Sequence, residues 1–90
     1  MRVIPLQPSR LGLLCNGKEI YSGNLQAGQV IKFECAGVYE VSMDDAGAMN
    51  LSVNGERIYL GRQGQSISGR HVSAANYLDY VNPPLGPSPP

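Results

Sequence analysis

The sequence has no tryptophan and a single phenylalanine, so large aromatic side chains can supply little of a hydrophobic interior. With five tyrosines as the other aromatic residues, the aliphatic residues must provide most of the buried surface, and we expect a modest core. A chain of 90 residues is long enough for one folded domain and too short for two.

The sequence also has no excess of positive or negative charge. Seven basic residues balance seven acidic ones, whereas binding to a phosphate backbone or an anionic lipid surface needs a basic footprint. No run approaches the roughly 18 to 20 apolar residues that span a bilayer, and residues 1–8 lack the apolar core of a signal peptide. We therefore predict a soluble domain that does not bind nucleic acid.

Catalytic groups are equally scarce. His71 is the only histidine, so a hydrolytic relay would have to use it together with a nearby serine. None of the candidate serines lies in a nucleophile-elbow pattern: Ser66, Ser68 and Ser73. The adjacent pair Asp44-Asp45 suits a turn better than calcium binding or acid-base chemistry, because the two side chains diverge. We predict that the chain is not an enzyme, binds no cofactor and carries His71 on its surface.

Cys15 and Cys35 are the only cysteines. Two thiolates without a histidine pair or further cysteines fall short of the four ligands of a zinc site, so no metal site is predicted. The residues leave two alternatives open. The pair forms a disulfide if the domain lies outside the cytoplasm, or the two reduced thiols pack as small core side chains.

The sequence is rich in glycine, proline and short alternating segments. Eleven glycines and seven prolines favour short strands and tight turns over long helices. The pairs Asn16-Gly17 and Asn54-Gly55 have the residue types that tolerate the positive φ angles of two-residue hairpin turns, and Gly28 and Gly47 lie in further turns. Alternation predicts strands over 11–15, 18–23, 30–35, 38–43, 48–53, 56–60 and 70–73, with 30–35 paired to 38–43.

These segments predict an all-β fold, a small antiparallel β-sandwich of immunoglobulin-like type with about seven short strands. The predicted inward residues are Leu11, Leu13, Ile20, Ile31, Phe33, Val41, Met43, Met49, Leu51, Val53 and Ile58. Residues 1–9 are expected to be an extended lead-in or edge strand that adds little core, 10–81 the sandwich, and 82–90 a proline-rich tail or linker. Residues 61–69 are expected to form a mobile loop, and Ser73 to cap a helical turn over 74–78.

The two Asn-Gly segments share the pattern Asn-Gly-x-x-Ile-Tyr-x-Gly over residues 16–23 and 54–61. If Ile20 and Ile58 face the core, Tyr21 and Tyr59 face solvent or a partner. Tyrosine combines contact area with a polar tip, so both are candidates for an interaction surface or for a carbohydrate-binding platform. Packing between strands on the outer face explains the tyrosines equally well, and one recurring turn chemistry explains the repeat.

Three segments taken in order resemble a known family. They are Gly17 to Gln29, with its Tyr-Ser-Gly and Leu-x-Ala-Gly pieces, Asp45 to Glu56, with its Ala-Gly-x-x-x-Leu-x-Val-Asn-Gly piece, and Leu60-Gly61. Their order and spacing resemble the C-terminal domain of RodZ-type bacterial cell-shape proteins over roughly residues 10–72.

The resemblance implies a periplasmic or extracytoplasmic sandwich domain of a single-pass inner-membrane protein. A linker and one membrane helix, both outside this chain, would join it to a cytoplasmic helix-turn-helix domain that meets the actin-like filament MreB. The implied role is non-catalytic scaffolding of cell elongation, through contacts with wall-synthesis proteins. Gly28, Gly47, Asn54 and Gly55 match the family motif as structural residues. The alternative function is a carbohydrate- or peptidoglycan-binding module.

Overall fold

A computed structural model describes residues 1–82 of the chain, and these residues form eight strands in two antiparallel sheets. The predicted all-β sandwich is confirmed. Residues 83–90, nearly all of the predicted tail, lie outside the described residues. The strands are β1 (Arg2–Pro5), β2 (Ser9–Cys15), β3 (Lys18–Leu25), β4 (Ile31–Lys32), β5 (Tyr39–Met43), β6 (Met49–Val53), β7 (Glu56–Ile58) and β8 (Ile67–Val72).

The first sheet has the strand order β4-β1-β6-β7 and the second sheet β3-β2-β5-β8. At one side of the sandwich, Arg70 of β8 donates a hydrogen bond of 3.0 Å to the carbonyl of Leu60, just after β7. At the other side, the Tyr21 ring of β3 lies 5.6 Å from the ring of Phe33, just after β4. The β7 edge of the first sheet therefore lies over the β8 edge of the second, and the β4 edge over the β3 edge.

Alternation along the strands places one layer of aliphatic side chains between the sheets. Most of the predicted inward residues are buried: Leu11, Leu13, Val41, Met43, Met49, Leu51, Val53 and Ile58. Ile31 and Phe33 pack against this core at its margin. The core further includes Val3, Leu25, Ala46, Leu60, Ile67 and Val72, which supply much of its volume.

The N-terminal segment is part of the sandwich, so the predicted lead-in or edge strand at residues 1–9 was wrong. β1 lies between β4 and β6, and Val3 and Pro5 are fully buried. Pro5 is the last residue of β1 and ends the strand instead of interrupting it. The core therefore begins at the third residue of the chain.

The predicted pairing of 30–35 with 38–43 was also wrong. The strand in this region covers only Ile31–Lys32 and pairs with β1, whereas β5 pairs with β2 and β8. Residues 33–38 carry the chain from the first sheet to the second, so Ala36-Gly37 is part of a crossover instead of a hairpin turn. Val30 is 53% exposed because the pairing of β4 with β1 begins only at Ile31.

Both Asn-Gly pairs form left-handed turns. The φ angles are 51° and 82° at Asn16 and Gly17, and 53° and 79° at Asn54 and Gly55, which suits two-residue hairpins. Gly28 has a φ of 83° in the turn between β3 and β4.

The two hairpins nevertheless orient their matching residues differently. In the first, Leu14 pairs with Glu19 and Leu13 pairs with Tyr21, so Ile20 is an extra, bulged residue. One extra residue reverses the alternation beyond it, so Ile20 is exposed and the predicted inward orientation was wrong. In the second, Leu51 pairs with Ile58 without a bulge, and Ile58 is buried as predicted.

Residues 61–69 are held against the fold, in contrast to the predicted mobile loop. A carboxylate oxygen of Asp45, Oδ1, accepts hydrogen bonds from the backbone N–H groups of Gly47 at 2.9 Å and Gly64 at 2.7 Å. The last strand then begins at Ile67, which is buried. Asp45 thus acts as the predicted turn former, and it joins two turns that are distant in sequence.

The predicted helical turn lies slightly later in the chain than expected. The Ser73 hydroxyl accepts a hydrogen bond from the N–H of Ala75 at 3.2 Å, and its carbonyl accepts one from Tyr77 at 2.9 Å. Ser73 therefore begins the turn as predicted, but the 3₁₀ helix covers Tyr77–Tyr80.

Replacing Gly47 by alanine is expected to lower the free energy of unfolding by about 2 kcal/mol, because a Cβ atom there overpacks the turn. That atom would lie 2.5 Å from Cα of Gln63. Chemical denaturation of both variants measures the effect against Gly12→Ala, whose Cβ would meet Ser42 at an ordinary 3.6 Å. Equal stability of the two variants would contradict the close approach.

Candidate interaction site

Tyr21, one of the two predicted surface tyrosines, faces the margin of the core. Its ring packs against Phe33, and its hydroxyl donates a hydrogen bond of 3.3 Å to the carbonyl of Asn24. The predicted outward orientation was wrong, because the bulge at Ile20 reverses the alternation of β3.

Tyr59, the second predicted surface tyrosine, faces outward from the first sheet. It lies between the buried residues Ile58 and Leu60 and is itself half-buried. The guanidinium carbon of Arg57 lies 4.7 Å from the centre of its ring, within the range of a cation–π contact. Its backbone N–H donates to the carbonyl of Tyr80 at 2.7 Å.

The two tyrosines lie at opposite sides of the sandwich. Tyr21 is on the β3 edge of the second sheet, over β4, whereas Tyr59 follows β7, the opposite edge of the first sheet. They do not form a common platform, so the carbohydrate-binding hypothesis that joined them has no site in this fold.

An open groove of about 600 Å³ lies at the end of the sandwich where the crossover passes. Its wall is mainly apolar and includes buried Val53 and Val72 together with exposed Val38. The lining also includes Phe33, Cys35, Tyr39 and Ala75. Concave, mainly apolar clefts of this kind are typical of contact surfaces, and the sequence did not indicate this one because its lining comes from four separate segments.

A disulfide joins Cys15 of β2 to Cys35 in the crossover, with 5.7 Å between their Cα atoms. Of the two alternatives left open by the sequence, the structure contains the bonded pair. Asn16, next to Cys15, adds two hydrogen bonds to the same segment: its side-chain oxygen accepts from the N–H of Val38 and its own N–H donates to the Val38 carbonyl, both at 2.9 Å. One wall of the groove is thereby fixed to the second sheet.

Tyr39 positions the opposite end of the crossover. Its hydroxyl donates a hydrogen bond of 2.9 Å to the carbonyl of Phe33, and the residue as a whole is buried. Loss of hydration raises the pKa of the Tyr39 hydroxyl above its ordinary value of 10.0, and the negative charge of Glu34 raises the pKa further. The ionised form of Tyr39 is therefore disfavoured in the folded state.

His71 lies on the outer face of the second sheet. Its side chain is 62% exposed, as predicted, and its Nε2 atom lies 3.1 Å from Oε1 of Glu40 on the neighbouring strand. The Ser73 hydroxyl is instead bonded to Asn76 and Ala75. Among the hydrogen bonds of residues 1–82, none joins the His71 ring to a serine, so this arrangement does not form a Ser-His relay.

The described part of the chain contains no group of three or more His, Cys, Asp or Glu side chains placed to hold a metal ion. In the same residues, no helical segment has both the length and the hydropathy that a bilayer crossing requires.

The family model of the RodZ C-terminal domain matches residues 15–68, more than half of the chain. The chain belongs to this family. The match runs from the last residue of β2 into β8, so it includes strands of both sheets, and it confirms the resemblance seen in the sequence motifs. The RodZ C-terminal domain family is not a known enzyme family. No curated protein and no solved structure gave a significant match.

Four residues of the family motif have evident backbone roles in this RodZ C-terminal domain. Asn54, Gly55 and Gly28 have positive φ angles in turns, where most side chains are strained. Gly47 instead leaves room for the backbone of Gln63. The motif therefore specifies where the chain turns.

Removing the disulfide from this RodZ C-terminal domain is expected to destabilise it. Because the bond closes a loop with a sequence separation of 20 residues, Cys15→Ser/Cys35→Ser should unfold with a free energy about 3 kcal/mol lower than the wild type. Urea denaturation with and without reductant measures this. Reductant should lower the stability of the wild type alone, and a wild type insensitive to reductant would contradict the expectation.

Tyr39 is expected to make the stability depend on alkaline pH. Since the folded-state pKa is raised, the stabilising contribution is fully present below the unfolded value of 10.0 and is lost as pH rises beyond it. The stability difference between the wild type and Tyr39→Phe, which cannot ionise, should therefore shrink as the pH rises from below 10.0 to above it. A difference that stays constant across this range would be inconsistent with a raised pKa.

Proposed function

We propose that the chain is a non-catalytic, extracytoplasmic interaction domain of a RodZ-like protein, acting in bacterial cell shape and elongation. The observation that carries this proposal is the family match over residues 15–68. It includes the turn glycines, both disulfide cysteines and the crossover that lines the groove. The resemblance to RodZ-type proteins implies a role in cell shape, and the family is not a known enzyme family.

The disulfide supports the extracytoplasmic location. Disulfides form and persist in oxidising compartments and are rare in the cytoplasm, where thiols are kept reduced. The Cys15–Cys35 bond joins two segments that are already adjacent through Asn16 and Val38, so it fits the native fold. In the proposed arrangement, a linker and a membrane helix outside this chain connect the domain to a cytoplasmic helix-turn-helix domain.

The proposed partners are membrane-embedded and wall-synthesis proteins of the elongation machinery. The second sheet, the groove and the outer face of the first sheet all offer accessible surface, and the groove is mainly apolar. Such a mainly apolar, concave surface is suited to protein contact.

The location can be measured with an introduced cysteine. In spheroplasts of the bacterium that encodes the full-length protein, a membrane-impermeant maleimide should label Ser68→Cys before lysis, because Ser68 is exposed on β8. The wild-type domain is the matched control, since Cys15 and Cys35 are bonded to each other and should stay unlabelled. Labelling of residue 68 only after lysis would place the domain in the cytoplasm and contradict the proposal.

The role in cell shape can be measured by removing the domain. Deletion of residues 1–82 from the full-length gene, which removes all eight strands, should increase cell width, because the elongation machinery loses a protein contact. His71→Ala is the control for catalysis: the His71 side chain is exposed and, among residues 1–82, hydrogen-bonds to Glu40, so this variant should keep wild-type width. Unchanged width on deletion would contradict scaffolding, and a widened His71→Ala strain would contradict a non-catalytic role.

A further inference from the structure

The sheets of the sandwich end in four edge strands, and these differ in what bonds to their outer backbone groups. Just after β7, the N–H of Tyr59 donates to the carbonyl of Tyr80 at 2.7 Å. On β8, the carbonyl of His71 accepts hydrogen bonds from the Asn76 side-chain amide at 3.1 Å and from the Tyr80 hydroxyl at 3.0 Å. The segment that follows β8 therefore caps both edges on that side of the sandwich.

On the opposite side, β3 is a long edge without such a cap. It has eight residues, whereas β4, the other edge there, has two. Its paired strand in the sheet is β2. Among the hydrogen bonds of residues 1–82 outside the strand ladders, a single one reaches the backbone of β3, from the Tyr21 hydroxyl to the carbonyl of Asn24. An edge strand with unpaired N–H and C=O groups is a template for a further strand.

The ladder of the second sheet determines which backbone groups of β3 point away from the domain. Successive residues of an antiparallel strand direct their N–H and C=O groups alternately to one neighbour and to the other. The N–H of Asn16 donates to the carbonyl of Val38, on the β5 side, so the even-numbered residues of β2 bond toward β5. Ser22 and Asn24 lie opposite even-numbered residues of β2. Their own backbone groups consequently point away from β2 and toward solvent.

The second half of β3 lacks the features that usually protect an edge strand, which are charges, prolines and bulges. Lys18 and Glu19 lie at the start of the strand, and the bulge is at Ile20. Residues 21–25 are uncharged, contain no proline and pair with β2 in an unbroken register. We name residues 21–25 the open edge.

The open edge is complementary to a second copy of itself. A two-fold axis through Gly23 places Ser22 of each copy opposite Asn24 of the other. Since both residues direct their backbone groups outward, each such pair can exchange two N–H···O=C hydrogen bonds. An axis at Ser22 or at Asn24 uses the edge less well, because the other residue then lies opposite the bulge at Ile20 or beyond the end of β3.

We propose that β3 pairs antiparallel with β3 of a second copy of this chain, about a two-fold axis through Gly23. The second sheets of the two domains then join into one continuous sheet. This inference goes beyond the proposed function and does not depend on it.

The side chains and charges are compatible with this pairing. The two Gly23 residues form the central pair, in which Cα atoms approach to about 4.5 Å and neither residue has a side chain to clash. On the face toward the first sheet, Tyr21 lies opposite Leu25 of the second copy. Lys18 and Glu19 lie outside the open edge, and the residues opposite them, 28 and 27, are uncharged. The chain has no net charge, so two copies do not repel each other as a whole.

The association can be measured with the purified chain by sedimentation equilibrium up to about 1 mM, the local concentration that a short flexible tether produces. A monomer–dimer equilibrium is expected. Ser22→Lys/Asn24→Lys should raise the dissociation constant of the dimer about tenfold or more, because each pair then brings two like charges together. If this variant does not fold, Ser22→Pro takes its place, since the N–H that proline lacks points away from β2.

The matched control adds the same charge beside the capped edge of β8. Ser66 and Ser68 are both exposed, and Ser66→Lys/Ser68→Lys should leave the dissociation constant within about twofold of the wild type. A wild type that stays monomeric over the whole concentration range would overturn the proposal. Equal weakening in the two lysine variants would indicate general charge repulsion and overturn it as well, as would a dimer that neither variant weakens.

Introduced cysteines test the register of the pairing. Under mild oxidation, a mixture of Ser22→Cys and Asn24→Cys chains should form covalent dimers faster than either variant alone. Directly opposite Cα atoms are about 5.5 Å apart, within disulfide range, whereas diagonal neighbours are about 7 to 8 Å apart. The native cysteines are already bonded to each other.

Ser68→Cys, exposed on β8, is the control for random collision and should form covalent dimers at least about tenfold more slowly than the mixture. Equal rates for Ser68→Cys and the mixture would contradict pairing through β3. Faster crosslinking of Ser22→Cys alone than of the mixture would contradict the axis through Gly23.

Discussion

The fold depends on one layer of aliphatic side chains enclosed between two four-stranded sheets. Fully burying a leucine or valine contributes about 1.5 to 3 kcal/mol, and Leu11, Leu13 and Val41 of the second sheet meet Val3 and Leu51 of the first. With no tryptophan and one phenylalanine, few other residues can replace this contribution. The two sheets must stay aligned so that their aliphatic side chains remain in contact. This alignment is maintained by the turns, the disulfide and the hydrogen bonds of Asp45.

The same constraint determines which surfaces are available for function. Because inward positions are committed to packing, alternation leaves each outer face to polar and charged residues. The second sheet exposes Glu40 and His71, which pair with each other, whereas the first exposes Arg2, Lys32 and Arg57, which form no salt bridge within residues 1–82. A chain with equal numbers of basic and acidic residues therefore has an uneven distribution of charge on its two outer faces. The pairing of the strands decides which charged residues become neighbours.

The sequence was sufficient for the all-β class, both hairpin turns, the turn role of Asp45 and most of the core, because these depend on local alternation and turn residues. It was insufficient where sequence-distant segments meet. The prolines concealed a central strand at Arg2–Pro5, and the cations of the first sheet became neighbours only through that strand. The groove combines segments from both sheets, and the bulge at Ile20 has no local signature, since the matching hairpin at Ile58 lacks one.

The Cys15–Cys35 bond also has a mechanical consequence. Tension applied through the two ends of the chain would follow the covalent path across the sulfur atoms and bypass residues 16–34. The stretch that it bypasses includes β3 and β4, which therefore cannot be pulled out to full length while the bond is intact. Under extension these strands would remain looped beside the crosslink, and the domain would lengthen only through the remaining polypeptide.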